Sequence, residues 1–480
     1  MHARIPALNG PQEKEPTMRG NRRIRRVTAL AAALVMMGTL AACSGGDDSA
    51  QADCRLSFMA SADRPTSEQD AYKAVFADFK KEYNCTVKTT FQGTWDQTTQ
   101  QLTGARLAGE QVNLFISSTA SRDLAKAGLS MDLTKCIAPF KERFLSSALA
   151  PYTVDDRNWA IPMSSTDTSA IFYNADMFAE LGIQAPTTFD ELVAAGKTIA
   201  NAKSIIPMIH QGKSPWYWPM WYMSTFAQTS GNKSIQYTED FLSGKRKFTS
   251  PEEVAALNDL AKFTKEGLLN QATLDTDEQG MFASFLQGKA AMFYGLTPSL
   301  INLESANPTF TIGVFQFPKV VSDESVKPQV GGGPENGISV AAFAPESTKV
   351  ASCQLLEFMS RPAEAAKILG VGNPLVPSVV SVPATDKEPL APQLTKEFIP
   401  NTITFLDWIW PATVNDAVTS AITDVMYNGK SGKDAAAEVQ ASLDKLVSEE
   451  DYTFQWWKKW TKDDWAKVSF PSDMKIDVKS

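Results

Sequence analysis

Of the two histidines in this 480-residue chain, only His210 lies within its body. A Ser-His-Asp triad or a Cys-His dyad would have to use it, and no G-x-S-x-G elbow accompanies it. Histidine-based zinc sites need more than one such ligand and no C-x-x-C occurs, so no metal is expected. Gly-Lys-Ser/Thr triplets start at Gly196, Gly212 and Gly429. A phosphate-binding loop needs a glycine five positions earlier, where Glu191, Pro207 and Asp424 stand instead. No nucleotide or other cofactor is expected. Acidic residues are plentiful, so a two-carboxylate glycosidase is the enzyme alternative, without positive support. What remains is binding chemistry: short polar side chains and tryptophans, whose value depends on where the backbone places them.

The elements that place them alternate. After an apolar strand Leu56–Ala60, the spacing of Tyr72, Val75, Phe76, Phe79 and Tyr83 predicts a helix with one apolar face. Strand Thr86–Phe91, a helix over 95–108, strand Val112–Ile116 and a helix over 121–127 follow. Strands separated by helices imply an α/β fold with doubly wound, mainly parallel sheets. Ligands of such sheets sit beyond the carboxyl ends of the strands. The residues there are Ser61 and Asp63, Trp95 and Asp96, Ser118 and Thr119 within 117–119, Asp167 within 165–167, and Gly295. Hydroxyls, carboxylates and an aromatic face suit a sugar. Asp63 and Asp96 fit helix capping as well as contact, and 117–119 fits a turn. Trp216, Tyr217, Trp218, Trp221 and Tyr222 form the densest aromatic cluster. Pro215 and Pro219 interrupt it, which favours a cleft-lining loop over a core helix. Trp408, in DWIWP, is a further candidate, as are Glu335 and Asn336 beside Gly331–Gly333, whose glycines suit a hinge.

The amino end reads as an export signal. Arg19, Arg22, Arg23, Arg25 and Arg26 precede a short apolar run and Leu40-Ala41-Ala42-Cys43. That ending is similar to a bacterial lipobox, which implies cleavage before Cys43, a lipid on that residue, and an outer-face membrane anchor. Residues 1–42 are then the signal peptide and 43–53 a flexible tether; Met18 serves as a start as well as Met1. The first 42 residues carry 7 Lys/Arg and 2 Asp/Glu, so the remaining 438 carry 39 and 52, a net charge of −13. That balance argues against nucleic acid or an anionic membrane surface as partner. Four cysteines remain, an even number that favours disulfides in an exported protein. Cys54 and Cys85 each precede a strand, and meet if those strands are parallel neighbours; Cys136 with Cys353 is the second expected pair. Buried free thiols stay open.

Four motifs then carry a resemblance. WAIPMSSTDTSAIFYNADMFAELGIQAPTTFDEL (159–192) places a polar elbow between two strands, followed by two helices. DEQGMFASFLQGKAAMFYG (277–295), VGGGPENGISV (330–340) and the stretch 370–379 follow. In this order the chain resembles the sugar-type extracellular solute-binding proteins of bacterial ABC importers, over roughly 56–379. The resemblance implies two lobes joined by three hinge crossings: 54–162 with 331–370, and 163–330 with 371–480. It implies a monomer that closes on a carbohydrate, an oligosaccharide in the first instance, and presents it to membrane permease subunits driven by a separate ATPase chain. It also implies that aromatics of the second lobe, Trp216, Trp218 or Trp221, cover the sugar, and that no covalent chemistry occurs. The alternatives are an exported glycan-acting hydrolase and a binding protein for a non-sugar such as a polyamine or peptide. The tail tryptophans Trp456, Trp457, Trp460 and Trp465 fit docking of a terminal helix better than a site.

Overall fold

The computed structural model describes residues 54–62, 64–94, 97–117, 121–300, 303, 306–372, 374–385, 389–449, 452–471 and 475–479. Along the chain run β1 (Cys54–Ala60), β2 (Cys85–Phe91), β3 (Leu114–Ser117), the short hairpin β4 (Thr153–Val154) and β5 (Arg157–Asn158), and β6 (Ile161–Pro162). After these come β7 (Thr166–Asn174), β8 (Ile206–Ile209), β9 (Ala290–Leu296), β10 (Ile312–Phe315), β11 (Val330–Pro334), β12 (Gly337–Val340) and β13 (Thr402–Thr404). They assemble into two principal sheets. One has the order β2-β1-β3-β12-β6; the other has β13-β11-β7-β9-β8, with β10 also on β7. The chain therefore forms two α/β lobes, each with its own core. Phe58, Tyr72, Phe76, Phe79 and Cys353 share one, and Trp221, Tyr222, Leu260, Tyr294 and Val418 share the other.

Local sequence accounts for the elements that set the lobes' geometry. The helix Thr66–Tyr83 buries Tyr72, Val75, Phe76 and Phe79 against the first sheet and ends at Asn84 in the left-handed region. That reversal starts β2 beside β1 with Cys54 opposite Cys85, and a disulfide joins the two. A second disulfide, Cys136–Cys353, ties segments 217 residues apart. In the second lobe Asn174 caps the helix Ala175–Glu180 by accepting from the Met177 amide at 2.9 Å. Thr188 and Glu191 form a reciprocal capping box on the helix Phe189–Lys203. Among the described residues no helix is long and apolar enough to cross a membrane.

Two expectations are corrected. The aromatic segment is not a loop: Pro215–Tyr217 is one 3-10 turn, and Trp218–Thr229 is a helix buried over nearly its whole length. Pro219 falls in the first turn, where its missing N–H is not required. The second correction concerns the tail, expected within the second lobe. Tyr452 and Phe454 do pack there. From Trp456 onward, however, the tail covers Trp159 of the first lobe, and Phe470 joins that lobe's main core. The Asp132 amide donates to the Val468 carbonyl at 2.7 Å, and Gln354 and Glu357 bind the backbone of Asp477 and Lys479. Val379 and Val382 also belong to the first core. The tail is thus a further pass from the second lobe back to the first.

Candidate functional site

Three chain crossings lie side by side between the lobes. The first runs from β6 through 163–165 into β7, the second from β11 through Glu335 and Asn336 into β12, and the third passes Val376–Ser378. Hydrogen bonds lace them together. Met163 N donates to Asn336 O at 2.9 Å, Thr166 N to Val376 O at 2.7 Å, and Asn336 N to Ser164 Oγ at 3.1 Å. The glycines of β11 let the backbones approach. A Cβ on Gly332 would stand 2.1 Å from the Asp167 carbonyl oxygen. Gly333 has φ +135°, and its Cβ would press on the Trp408 ring at 3.1 Å.

Charged side chains converge on this junction. Asp167, opposite Gly333 in the β7–β11 pairing, is buried, and among the described residues its carboxylate accepts just a long bond, 3.5 Å, from Thr297 Oγ1. Burial first, and the charge of Glu335 second, push its carboxyl well above the usual range, with the Thr297 bond pulling the other way. Glu335 is half-buried and is also pushed up by burial; Arg64 opposes this, while Glu278 and Glu68 add to it. Arg64 comes from the loop after β1. Its guanidinium bonds Glu68 at 2.5 Å and Asn336 Oδ1 at 2.9 Å, so the first lobe grips the second crossing. Tyr152, fully buried, donates to the Pro334 carbonyl at 2.8 Å. Glu278 opens the helix Glu278–Leu286; it is exposed, yet enclosed enough that burial raises its pKa.

The structure sorts the sequence candidates. Asp167, Glu335 and Asn336 come together at the junction, and Trp408 packs on its glycines. Ser61, at the end of β1, is 4% exposed with no partner for its hydroxyl. Trp216 is 53% exposed, its ring 4.8 Å from that of Tyr217 at 77°. Trp218 and Trp221 are core residues instead. Their indole N–H groups bond the Gly212 carbonyl at 3.0 Å and His210 Nδ1 at 2.9 Å, within a helix buried on all sides. Gly295 makes room rather than contact, since its Cβ would stand 2.8 Å from the Tyr217 hydroxyl. Asp63, Trp95, Asp96, Ser118, Thr119 and Cys43 lie outside the described residues. Sequence reasoning missed Arg64, Glu68, Tyr152, Glu278 and Thr297. The Arg64–Glu68 spacing of four, at the start of a helix just beyond a strand end, was a usable signal. Nothing local marks Tyr152 or Thr297.

Arg64 of the first lobe and Asp167 of the second thus both lie within electrostatic reach of Glu335, on the crossing between the lobes. Comparison with known proteins agrees with this architecture. A 212-residue segment is 23% identical to the multiple sugar-binding protein of Streptococcus mutans serotype c (strain ATCC 700610 / UA159). The segment is 43% of this chain and spans about half, 49%, of that relative. Among solved structures, a chitin oligosaccharide binding protein superposes with a TM-score of 0.70 at 21% identity, over 82% of this chain and 98% of its own. The GacH receptor of Streptomyces glaucescens GLA.O, studied unliganded and with acarbose, gives 0.63 at 18% identity, over 84% and 100%. The model of the bacterial extracellular solute-binding proteins matches residues 65–366, well over half of the chain. Two lobes, laced crossings and this match together place the chain in the bacterial extracellular solute-binding protein family.

Proposed function

We propose that this protein is the substrate-binding lipoprotein of an ABC importer, capturing a carbohydrate, probed first as an oligosaccharide, between its lobes for delivery to membrane permease subunits. A separate chain supplies the ATPase, and Cys43 carries the lipid that holds the protein at the outer face of the membrane. The observation that carries the reading is the junction of polar groups from both lobes, and the second lobe adds an exposed ring, Trp216, packed on Tyr217, whose hydroxyl lies near Gly295 of β9. An aromatic face covers the C–H patches of a sugar, while Asp167, Glu335, Asn336 and Arg64 meet its hydroxyls. The sugars named for the family's solved members support the same substrate class.

Titration calorimetry against an oligosaccharide panel tests this. Trp216→Ala should weaken the best ligand by about 10-fold or more, because a stacking ring is lost, with the melting temperature nearly unchanged for so exposed a residue. Unchanged affinity would remove Trp216 from the site. The Asp167–Glu335 pair gives a hydrolase reading its one foothold, since glycosidases use two carboxyls, but they need one of them ionised and burial raises both here. Product analysis of the same mixtures decides: released shorter saccharides would overturn the transport reading, and intact ligand would retain it.

A further inference from the structure

Phe454 and Trp456 stand two residues apart and pack into different lobes. The helix Gly432–Glu449 buries Leu443 and Leu446 in the second-lobe core, and Tyr452 and Phe454 continue on that core. Trp456 instead packs with Trp159, Val154 and Ala125 of the first lobe. Gln455 alone separates these two buried anchors. A step of two residues spans at most about 7 Å even when fully extended, so the passage holds no slack.

Neither anchor can slip along its lobe. On the first lobe the Asp132 amide donates to the Val468 carbonyl at 2.7 Å, Trp465 stacks on Trp159, and Phe470 joins the main core. At the passage itself Arg122, from the helix Ser121–Lys126, donates to the Phe454 carbonyl at 3.4 Å. Its guanidinium lies 4.3 Å from the centre of the Phe454 ring and 5.4 Å from that of Trp457, so one cation holds the rings on both sides of Gln455. That helix belongs to the first lobe through Leu124 and Ala125. Arg122 therefore grips a second-lobe anchor from the first lobe.

We propose that the tail at Gln455 is a taut strap, clamped by Arg122, that restricts how the two lobes move about the three crossings. The crossings are laced into one bundle, and a single bundle lets two lobes twist as well as open. Any motion that parts the Phe454 site from the Trp456 site demands more chain than Gln455 supplies. It must draw a buried aromatic ring into water. Rotation about a line through both the crossings and Gln455 escapes that penalty, so the strap selects one hinge motion by opposing the others. This restraint depends on the two-lobe fold and not on which ligand the cleft takes.

Slack added to the strap tests it without any ligand. Gly-Ser-Gly-Ser-Gly-Ser inserted after Gln455 keeps both anchors and adds about 15 Å of reach. Spin labels on exposed positions report interlobe distances by electron–electron double resonance. One pair is Leu107→Cys in the first lobe with Lys265→Cys in the second, and another is Glu142→Cys with Lys265→Cys. Cys43→Ser leaves these as the free thiols, since the other four cysteines are in disulfides. In at least one pair the slack variant should widen the distance distribution by about 5 Å or more, a fraction of the added reach. Tryptophan emission and melting temperature should hold, because the tail stays docked. Arg122→Ala should widen the same distribution by less, and Arg122→Lys, which keeps a cation at the rings, should restore it. Should the insertion also loosen the tail, the two Arg122 variants, which add no chain, decide by the same readout. Wild-type widths in the slack and Arg122→Ala variants would overturn the strap and leave sugar capture untouched.

Discussion

Trp159→Ala is expected to lower the free energy of unfolding by about 3–5 kcal/mol, the usual cost of removing a fully buried large aromatic. Trp159 is 0% exposed and lies under three tail indoles. Trp465 stacks on it at 6.4 Å, and Trp456 and Trp460 meet it edge-on at 6.2 and 6.4 Å. Arg157 continues the clasp, its guanidinium 4.0 Å from the centre of the Trp465 ring while it bonds Asp132 at 2.5 Å. Truncating Trp159 leaves these rings facing a void that water enters, so the tail should detach before the lobe unfolds. Urea titration gives the stability change. Limited proteolysis and a red-shifted tryptophan emission report detachment. A loss under about 1 kcal/mol with the tail still protected would show that the indoles hold to the lobe without Trp159.

The consequence extends to the hinge. Phe454 sits in the second-lobe core, and Arg122 of the first lobe lies 4.3 Å from its ring centre, with Lys126 5.0 Å from that of Tyr452. The tail therefore spans the lobes outside the three crossings, and a detached tail should allow wider opening. Little of this was legible in the sequence. Tryptophans at short spacing announce docking, but nothing local to 452–470 says which lobe receives them. The partner ring stands some 300 residues earlier, and only the folded chain brings the two together.

Other parts were legible because their causes are local. The apolar stripe of the helix Thr66–Tyr83, the capping box at Thr188 and the polar elbow before β7 are each written within a few residues. The strand-end rule pointed to Asp167, and the glycines of the second crossing pointed to Glu335 and Asn336, because both signals depend on topology. They overlooked Arg64, whose role depends on a bond to Asn336 across 272 residues. The reading of Trp216–Tyr222 as a loop failed at Pro219, since a proline in a first turn starts a helix as readily as it breaks one. Trp216 falls in the 3-10 turn before the helix and stays exposed, while Trp218 and Trp221 fall in the helix, whose residues 218–228 are all buried.

Glu253 should make the stability of the second lobe fall as pH rises, and Glu253→Gln should abolish that fall. The side chain is fully buried on the helix Pro251–Lys265. Tyr222 donates to one carboxylate oxygen, and the other has no partner. Burial pushes the carboxyl from its ordinary 4.5 to about 8, against the smaller opposite pull of the Tyr222 bond. Below pH 4.5 the folded and unfolded chains both hold this proton, so there is no penalty. Between 4.5 and 8 the unfolded chain releases it while the folded chain must keep it, and each unit costs about 1.4 kcal/mol. The accumulated cost at pH 8 is on the order of 4 kcal/mol. His210 acts in the other direction: burial lowers it from 6.5 to about 3, so its neutral form stabilises fully above 6.5 and the contribution falls as pH drops toward 3. From these two groups the slopes cancel between about 4.5 and 6.5, and stability declines on either side. Urea midpoints at pH 5, 6.5 and 8 test this. The Gln variant should gain on the wild type by several kcal/mol between pH 5 and 8, whatever constant offset the amide introduces. Parallel curves would mean that Glu253 ionises in the folded protein with a compensating partner.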